Sequence, residues 1–365
     1  MGPMGPMGPT VRRTARAGTA SLLLAGSVLV IGGLAIARAD QDPEPASAAS
    51  SGSGSGSEAD TSARTSEHDR PRAPDQAFAV GRRDLMLVDP SRPTPADVNR
   101  GQPELPERTI PVVVLYPADG PAAAGIPAQV DAPAAPWRVP LVVFSHGLNA
   151  SGDLYASLVE PLVRQGYVVA LPTFPLTSGR VPMQADFVNQ PGDVSFVIDE
   201  LFALARDRGS WLGGHVDRRR VAVAGHSLGA VTTLGAAYND CCRDRRIDAV
   251  VSISGGPLPY PDGEYDWSGT PLLLVHGAVD QVVPVAGSDA VFDAADGPVW
   301  YLRFREADHY GVGLGADGAL TVQATIAFLD ATLQGRSSAL DEVPGAVASS
   351  GRADWRTRPD PSSAG

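Results

Sequence analysis

The chain contains no lysine. All 29 of its basic residues are arginine, and 41 acidic residues bring the formal net charge to -12 at pH 7. A nucleic-acid-binding protein needs a basic surface for phosphate contacts, so this balance argues against that class. Cysteine is equally scarce, since Cys241 and Cys242 are the only two and they are adjacent. They are either two thiols or a local bridge, and with no further cysteine or spaced histidine pair nearby we expect no metal site.

The N-terminal residues have the order of a secretory signal peptide. Arginines at positions 12, 13 and 16 precede an apolar stretch from Ala20 to Ile36, which is followed by Ala37-Arg38-Ala39. Basic residues, an apolar segment and an A-x-A site predict export with cleavage after Ala39. The alternative is an uncleaved membrane anchor formed by residues 1–39, because the apolar stretch is near the lower length limit for a spanning helix.

Composition divides the rest of the chain into three parts. Residues 40–77 are rich in Ser, Gly and Pro and poor in large apolar side chains. Such a segment buries too little surface to fold, so it is predicted to be a disordered linker. Residues 336–365 have a similar character and are predicted to be a flexible C-terminal tail. The folded domain is therefore expected over residues 78–335.

Within this domain, apolar runs alternate with helix-patterned stretches. This alternation predicts an α/β fold: a doubly wound, mostly parallel sheet with helices on both faces. The strands are predicted at Ile110–Leu115, Leu141–Phe144, Val168–Leu171, Val221–Ala224, Ala249–Ile253, Leu272–His276 and Val299–Phe304. The helices are predicted at Tyr155–Gln165, Val194–Arg206, Leu228–Tyr238, Gly287–Ala294 and Leu320–Leu333.

The most informative motif is Gly225-His226-Ser227-Leu228-Gly229, between a predicted strand and a predicted helix. A G-x-S-x-G sequence in this context predicts a nucleophile elbow, which exposes the serine hydroxyl at the carboxyl edge of a sheet. The glycines let the strand and the helix approach each other closely. Ser227 is therefore the candidate nucleophile.

A serine nucleophile needs a histidine base and an acid that orients it. Of the six histidines, His309 lies between the last predicted strand and the final helix, where the chain order Ser, Asp or Glu, His places the base. Asp280, just beyond the penultimate strand, is the predicted acid. The alternatives for the acid lie in the loop after the preceding strand, at Asp262, Glu264 and Asp266.

Two backbone N–H groups are expected to form an oxyanion hole. One belongs to Leu228, at the start of the helix after the serine, and the other to Leu148, in the loop Ser145-His146-Gly147-Leu148-Asn149.

Two further segments could line a substrate pocket: one runs from Pro172 through Met183 and Phe187, and the other, Gly255 to Gly269, carries Leu258, Tyr260, Tyr265 and Trp267. From these segments, Phe174, Met183 and Trp267 are the predicted pocket residues, because apolar side chains suit an acyl or alkyl group.

These segments resemble the α/β-hydrolase superfamily. The resemblance is closest to secreted bacterial esterases grouped with platelet-activating-factor acetylhydrolases, dienelactone hydrolases and cutinase-like polyester hydrolases. It rests on the elbow, Asp280, His309 and the stretches Ile110–Pro117, Val142–Gly147 and Asn189–Val194. A serine replaces the cysteine nucleophile of dienelactone hydrolases, and the His-Gly-Gly-Gly stretch of the hormone-sensitive-lipase branch is missing.

The leading hypothesis is a secreted serine hydrolase of short- to medium-chain carboxylic esters, with polyesters and phospholipid-type acetyl esters included. It needs no cofactor and acts on a small-molecule or polymeric ester, and it would contact a membrane only through an uncleaved N-terminal segment. The alternatives are acyl transfer, lipase activity or amide hydrolysis with the same triad, and a non-catalytic binding protein on a hydrolase fold. Neither the natural ester nor the oligomeric state follows from the sequence.

Overall fold

The computed structural model describes residues 77–120, 122 and 125–358. The predicted signal segment and almost all of the predicted linker lie outside these residues. The described part of the chain forms one sheet of ten strands. The strands are β1 Ala79–Asp89, β2 Arg108–Ala118, β3 Gln129–Val130, β4 Val139–Ser145, β5 Val168–Pro172, β6 Val216–His226, β7 Ala249–Ile253, β8 Leu272–Gly277, β9 Val299–Phe304 and β10 Ala353–Arg358.

The strand order across the sheet is β10-β9-β8-β7-β6-β4-β5-β2-β1-β3. The six strands from β5 to β9 in this order are parallel. Antiparallel pairing occurs toward the edges, between β1 and β2, between β2 and β5, and between β9 and β10. The carboxyl ends of β4, β6, β7 and β8 therefore meet at one edge of the sheet, and this edge carries the site.

Helices cover both faces of this sheet, as the apolar pattern predicts. They are α1 Ala156–Arg164, α2 Gln190–Arg206, α3 Leu228–Tyr238, α4 Ala286–Ala294, α5 Gly318–Leu333 and α6 Val343–Ser350, with 3-10 turns at Gly152–Tyr155, Gln184–Asn189 and Ser337–Glu342. Alternate residues of each buried strand face opposite layers. Val143 of β4 packs in the layer with α2, α3 and α4, whereas Val142 packs in the layer with α1, α5 and α6. The predicted doubly wound α/β fold is confirmed.

The structure corrects the expectation of a flexible C-terminal tail. Residues 337–350 form a 3-10 turn and α6, and β10 then adds an antiparallel strand to β9, with Trp355 opposite Leu302. Val343 and Val347 are buried against the layer that holds α1 and α5. The amino-acid composition did not predict these elements, because only two apolar side chains of α6 are buried and β10 is ordered by backbone pairing with β9.

A buried ion pair joins β2 to the segment beside the site. Arg108, which is fully buried, donates through Nε to Asp193 at 2.6 Å and through Nη2 to Asp186 at 2.7 Å. Asp186 lies in the 3-10 turn Gln184–Asn189 and Asp193 in the first turn of α2. Arg92 Nη2 also lies 2.9 Å from Asp193 Oδ1, so two guanidinium groups balance the two carboxylates and hold this turn in position.

Candidate active site

Ser227 lies at a sharp turn between β6 and α3. Its backbone φ is 58° and ψ is -122°, a conformation that a non-glycine residue rarely adopts. The Ser227 N–H donates to the Ile253 carbonyl at 2.9 Å, which ties the turn to the end of β7. A Cβ atom at Gly229 would collide with the Ser145 carbonyl, so only glycine lets α3 lie this close to β4. The local strain and the close packing are those of a nucleophile elbow.

The structure brings Ser227, His309 and Asp280 into one hydrogen-bonded array. The distance from Ser227 Oγ to His309 Nε2 is 2.9 Å, and that from His309 Nδ1 to Asp280 Oδ2 is 2.7 Å. His309 is 3% exposed and Asp280 is 8% exposed. Since a carboxylate can only accept, His309 Nδ1 carries the proton, which leaves Nε2 free to accept from the serine hydroxyl.

Asp280 is held ionised by several donors. Its Oδ1 accepts from the backbone N–H groups of Val282 and Val283, each at 2.8 Å. Its Oδ2 contacts two histidines: it lies 3.2 Å from His276 Nε2 and 2.7 Å from His309 Nδ1. Burial by itself would raise the pKa of Asp280, but the hydrogen bonds from His276, His309 and the Val283 N–H outweigh it and hold that pKa well below its usual range.

The loop after β4 lies against the serine. A Cβ at Gly147 would be 3.1 Å from Ser227 Cβ, a tight contact that a shift of the loop would have to relieve. The Asn149 N–H donates to the Thr177 carbonyl at 2.8 Å, which holds the loop from its other side. Neither the Leu148 N–H nor the Leu228 N–H has an acceptor within the described part of the chain. The predicted oxyanion role requires two such N–H groups without a protein acceptor.

Three histidines that the sequence analysis set aside also lie at this edge of the sheet. His276 contacts Asp280, and His226 Nε2 lies 2.9 Å from the His309 carbonyl. His146 Nδ1 donates to the Gly147 carbonyl at 2.7 Å, while its Nε2 accepts from the Phe174 N–H. Burial lowers the pKa of both His146 and His226 to about 4. Their positions at strand ends were visible in the sequence, but their partners come from distant loops.

Two of the predicted pocket residues do not line an opening at the serine. Phe174 is fully buried and its ring packs against His146 at 5.1 Å between centroids. Trp267 packs against Tyr238 at 5.3 Å, at the far end of α3, roughly 15 Å along the helix axis from its first residue. Met183 is partly buried just before the 3-10 turn and stays a prediction.

An apolar cluster beside Ser227 fits the role that those two residues were expected to fill. It contains Leu228 and Val231 of α3, and Phe187 and Tyr260 meet edge to face with ring centroids 5.1 Å apart. Partly buried members are Leu148, Phe187, Val188, Cys242, Leu258 and Tyr265. We call these nine residues the elbow cluster. The two candidate pocket segments thus contribute Phe187, Leu258, Tyr260 and Tyr265 to this cluster, whereas Phe174 and Trp267 of the same segments pack against the core.

The loop between β7 and β8 and the turn after α3 are held together at the outer end of this cluster. Cys241 and Cys242 form a disulfide. The Asp240 N–H donates to the Glu264 carbonyl at 3.0 Å, and Asp240 Oδ1 accepts from the Glu264 N–H at 2.8 Å. A cavity of about 510 Å³ lies within the loop, and neither Ser227 nor His309 lines it.

Two features are absent from the described residues. None of the helices there has the length and apolar character to cross a membrane. No group of three or more His, Cys, Asp or Glu side chains within the same residues is arranged to hold a metal ion.

The chain has an α/β-hydrolase fold, and the proteins that it is similar to are esterases and a thioesterase. Residues 123–178 match the family model for platelet-activating factor acetylhydrolase, isoform II, a segment that includes β4, the Leu148 loop and β5. Acyl-protein thioesterase 1 of Eremothecium gossypii is 23% identical over 239 residues, covering 59% of this chain and 97% of that protein. Ferulic acid esterase from Streptomyces cinnamoneus superposes with a TM-score of 0.55 at 24% identity, covering 72% of this chain and 93% of the esterase. The predicted resemblance to α/β-hydrolase esterases is confirmed.

Proposed function

We propose that this chain is an exported hydrolase that cleaves carboxylic esters through an acyl-enzyme on Ser227. The observation that carries the proposal is the array of Ser227, His309 and Asp280, with heavy-atom distances of 2.9 and 2.7 Å. Both distances lie within hydrogen-bond reach, as nucleophile activation by a base requires.

In the first half of the reaction, Ser227 Oγ attacks the ester carbonyl carbon and its proton moves to His309 Nε2. The carbonyl oxygen becomes an oxyanion, which accepts hydrogen bonds from the Leu148 and Leu228 N–H groups. When the tetrahedral intermediate collapses, the bond to the alcohol oxygen breaks and Nε2 returns its proton to the leaving alkoxide. Asp280 stabilises the imidazolium in between.

The second half repeats these steps with water. His309 Nε2 removes a proton from the water, whose oxygen attacks the acyl carbon of the acyl-enzyme. Collapse of the second intermediate breaks the bond to Ser227 Oγ, which takes the proton back from Nε2. The products are one carboxylic acid and one alcohol, and no cofactor enters the balance.

The elbow cluster supports an ester with an apolar acyl or alkyl group of short to medium length. Leu148 and Leu228 supply the oxyanion donors, and their side chains belong to the cluster. A substrate carbonyl bound there therefore brings one of its substituents onto Phe187 and Tyr260. Replacing Phe187 with Ala should lower kcat/KM for p-nitrophenyl butyrate more than for the acetate, because the acetate is too short to reach this ring. Val98→Ala, at an exposed residue outside the cluster, is the control.

Labelling and turnover of one pair of variants test the nucleophile. A fluorophosphonate probe should label the wild-type protein and the Ser252→Ala variant but not Ser227→Ala. Ser252 is the control because it is a serine buried in the neighbouring strand β7, and its Oγ has no partner within the described residues. On p-nitrophenyl esters, Ser227→Ala should lose at least roughly 10³-fold in kcat. Equal turnover by Ser227→Ala and wild type would refute the proposal.

A thioester is the second candidate substrate, favoured by the match to acyl-protein thioesterase 1. The same attack on the acyl carbon applies, with a thiolate as the leaving group. A butyryl ester and a butyryl thioester measured side by side separate the two. We expect both to be cleaved through Ser227, with the ratio of kcat/KM values deciding which leaving group the site prefers.

The proposed export rests on the N-terminal sequence. Expression of the full chain should release protein into the medium with Asp40 as its first residue. Recovery from the membrane fraction with an intact N-terminus would point to an anchor instead.

A further inference from the structure

A continuous hydrogen-bonded link joins the two sides of the candidate active site behind Ser227. The Gly147 N–H lies 3.1 Å from Tyr155 Oη, and Tyr155 Oη lies 2.9 Å from His226 Nδ1. His226 Nε2 in turn lies 2.9 Å from the carbonyl oxygen of His309. The link thus begins in the loop of the Leu148 oxyanion donor and ends on the backbone of the base.

The proton positions along this link follow from its two ends. The His309 carbonyl can only accept, so His226 Nε2 carries a proton. The Gly147 N–H can only donate, so Tyr155 Oη accepts from it. The tyrosine hydroxyl donates its one proton to His226 Nδ1, which accepts as the unprotonated nitrogen of a neutral imidazole. Each donor in the link thus has one acceptor, and all three hydrogen bonds are donated in the direction from Gly147 to His309.

Burial makes the link rigid and keeps its protonation constant. Tyr155 is 2% and His226 is 1% exposed, so water cannot replace either partner. Burial, with the neighbouring His309 adding to it, lowers the pKa of His226 to about 4, and burial raises the pKa of Tyr155 to about 12. An unpaired polar group at such a site costs free energy, which favours the single arrangement in which all three bonds form.

We propose that Tyr155 and His226 are positioning residues that set the distance between the oxyanion loop and the His309 ring. This inference rests on the proposed function. A Cβ at Gly147 would lie 3.1 Å from both Ser227 Cβ and Tyr155 Oη, so the hydroxyl and the serine define the position of this loop together. The substituents of a bound ester contact the elbow cluster, and Tyr155 and His226 lie outside it. Loss of the link should therefore affect the transition state more than substrate binding.

The test compares Tyr155→Phe with Tyr167→Phe. Tyr167 is likewise buried, and its hydroxyl donates to Asp330 Oδ1 at 2.6 Å, remote from the site in the fold. We expect Tyr155→Phe to lower kcat roughly 10- to 100-fold, below the effect of deleting an oxyanion donor, with KM within about twofold of wild type. Tyr167→Phe should keep the wild-type kcat. An unchanged kcat in folded Tyr155→Phe would overturn the proposal.

A boronic acid supplies a readout that a purely structural role would not move. Its tetrahedral adduct on Ser227 places an oxygen at the oxyanion donors, so its inhibition constant should weaken in Tyr155→Phe by the same factor as kcat falls. If kcat falls while the inhibition constant stays at the wild-type value, the oxyanion loop is not what the tyrosine positions, and the proposal fails.

Variants at His226 test whether the two residues act as one unit. In His226→Gln the amide nitrogen can replace Nε2 as donor to the His309 carbonyl, but the acceptor for Tyr155 is lost. Adding Tyr155→Phe to this variant should therefore lower kcat no further, because the link is already broken. If the two substitutions instead lower kcat by factors that multiply, the two residues act independently. Fluorophosphonate labelling of every variant keeps the outcomes separate: a wild-type protein that fails to label refutes the proposed function, whereas a labelled wild type with unchanged variants refutes only the link.

Discussion

Two buried neutral histidines should make the stability of this protein fall steeply in mild acid. His146 and His226 have a pKa of about 4 in the folded chain, against 6.5 for an ordinary histidine. Between these values the unfolded chain binds a proton at each position and the folded chain does not, so the free energy of unfolding decreases as the pH falls from about 6.5 to about 4. Each histidine contributes a slope of about 1.4 kcal/mol per pH unit, and about 3 kcal/mol over the whole interval.

Urea unfolding followed by tryptophan fluorescence at pH values from 4.5 to 7.5 measures this slope. In His226→Asn the slope should be smaller than in wild type by about 1.4 kcal/mol per pH unit. Ser227→Ala is the control, since it retains both histidines and should retain the wild-type slope. If His226→Asn and wild type show parallel pH dependences, the folded protein binds a proton at His226 as readily as the unfolded chain, and the account of a buried neutral imidazole is wrong.

Four further predictions concern the array, the oxyanion loop, the buried ion pair and the C-terminal segment. Asp280→Asn should keep the fold and lose roughly 10⁴-fold in kcat on p-nitrophenyl esters, because an amide favours the wrong tautomer of the base; a loss below tenfold would contradict the assigned role. Gly147→Ala places a Cβ 3.1 Å from Ser227 Cβ, so the loop must shift, and kcat should fall about 10- to 100-fold with little change in the denaturation midpoint. Arg108→Met removes the buried cation that Asp186 and Asp193 share, leaving Asp193 with Arg92 and Asp186 with the Asn189 amide, and should cost about 3–5 kcal/mol of unfolding free energy in urea titrations. Deleting residues 336–358 should cost about 3 kcal/mol or more, since it exposes two buried valines and one edge of the sheet; a truncated chain as stable as wild type would restore the expectation of a flexible tail.

Much of the fold could be predicted because the central strands are buried on both faces. β7 and β9 have the predicted bounds, and so does α3, since most of the residues in these elements are buried. The edge elements could not be predicted in the same way. β1 carries arginine and aspartate among its apolar residues, and β10 has the sequence ADWRTR. At an edge, a neighbouring strand supplies the backbone hydrogen bonds, so the element needs no apolar pattern of its own.

By itself the sequence determined the elbow, the order of the three array residues and the alternation that builds a parallel sheet. Each of these depends on local spacing: glycines around a serine, an acid after one strand and a histidine after the next. Only the tertiary structure decided that Tyr155 and His226 connect the two halves of the site, that Phe187 rather than Phe174 faces the elbow, and that Trp267 lies at the far end of α3. The reason is physical, because such contacts depend on which side of a loop faces the core, and loops from distant parts of the chain meet only when the strands that carry them are placed side by side.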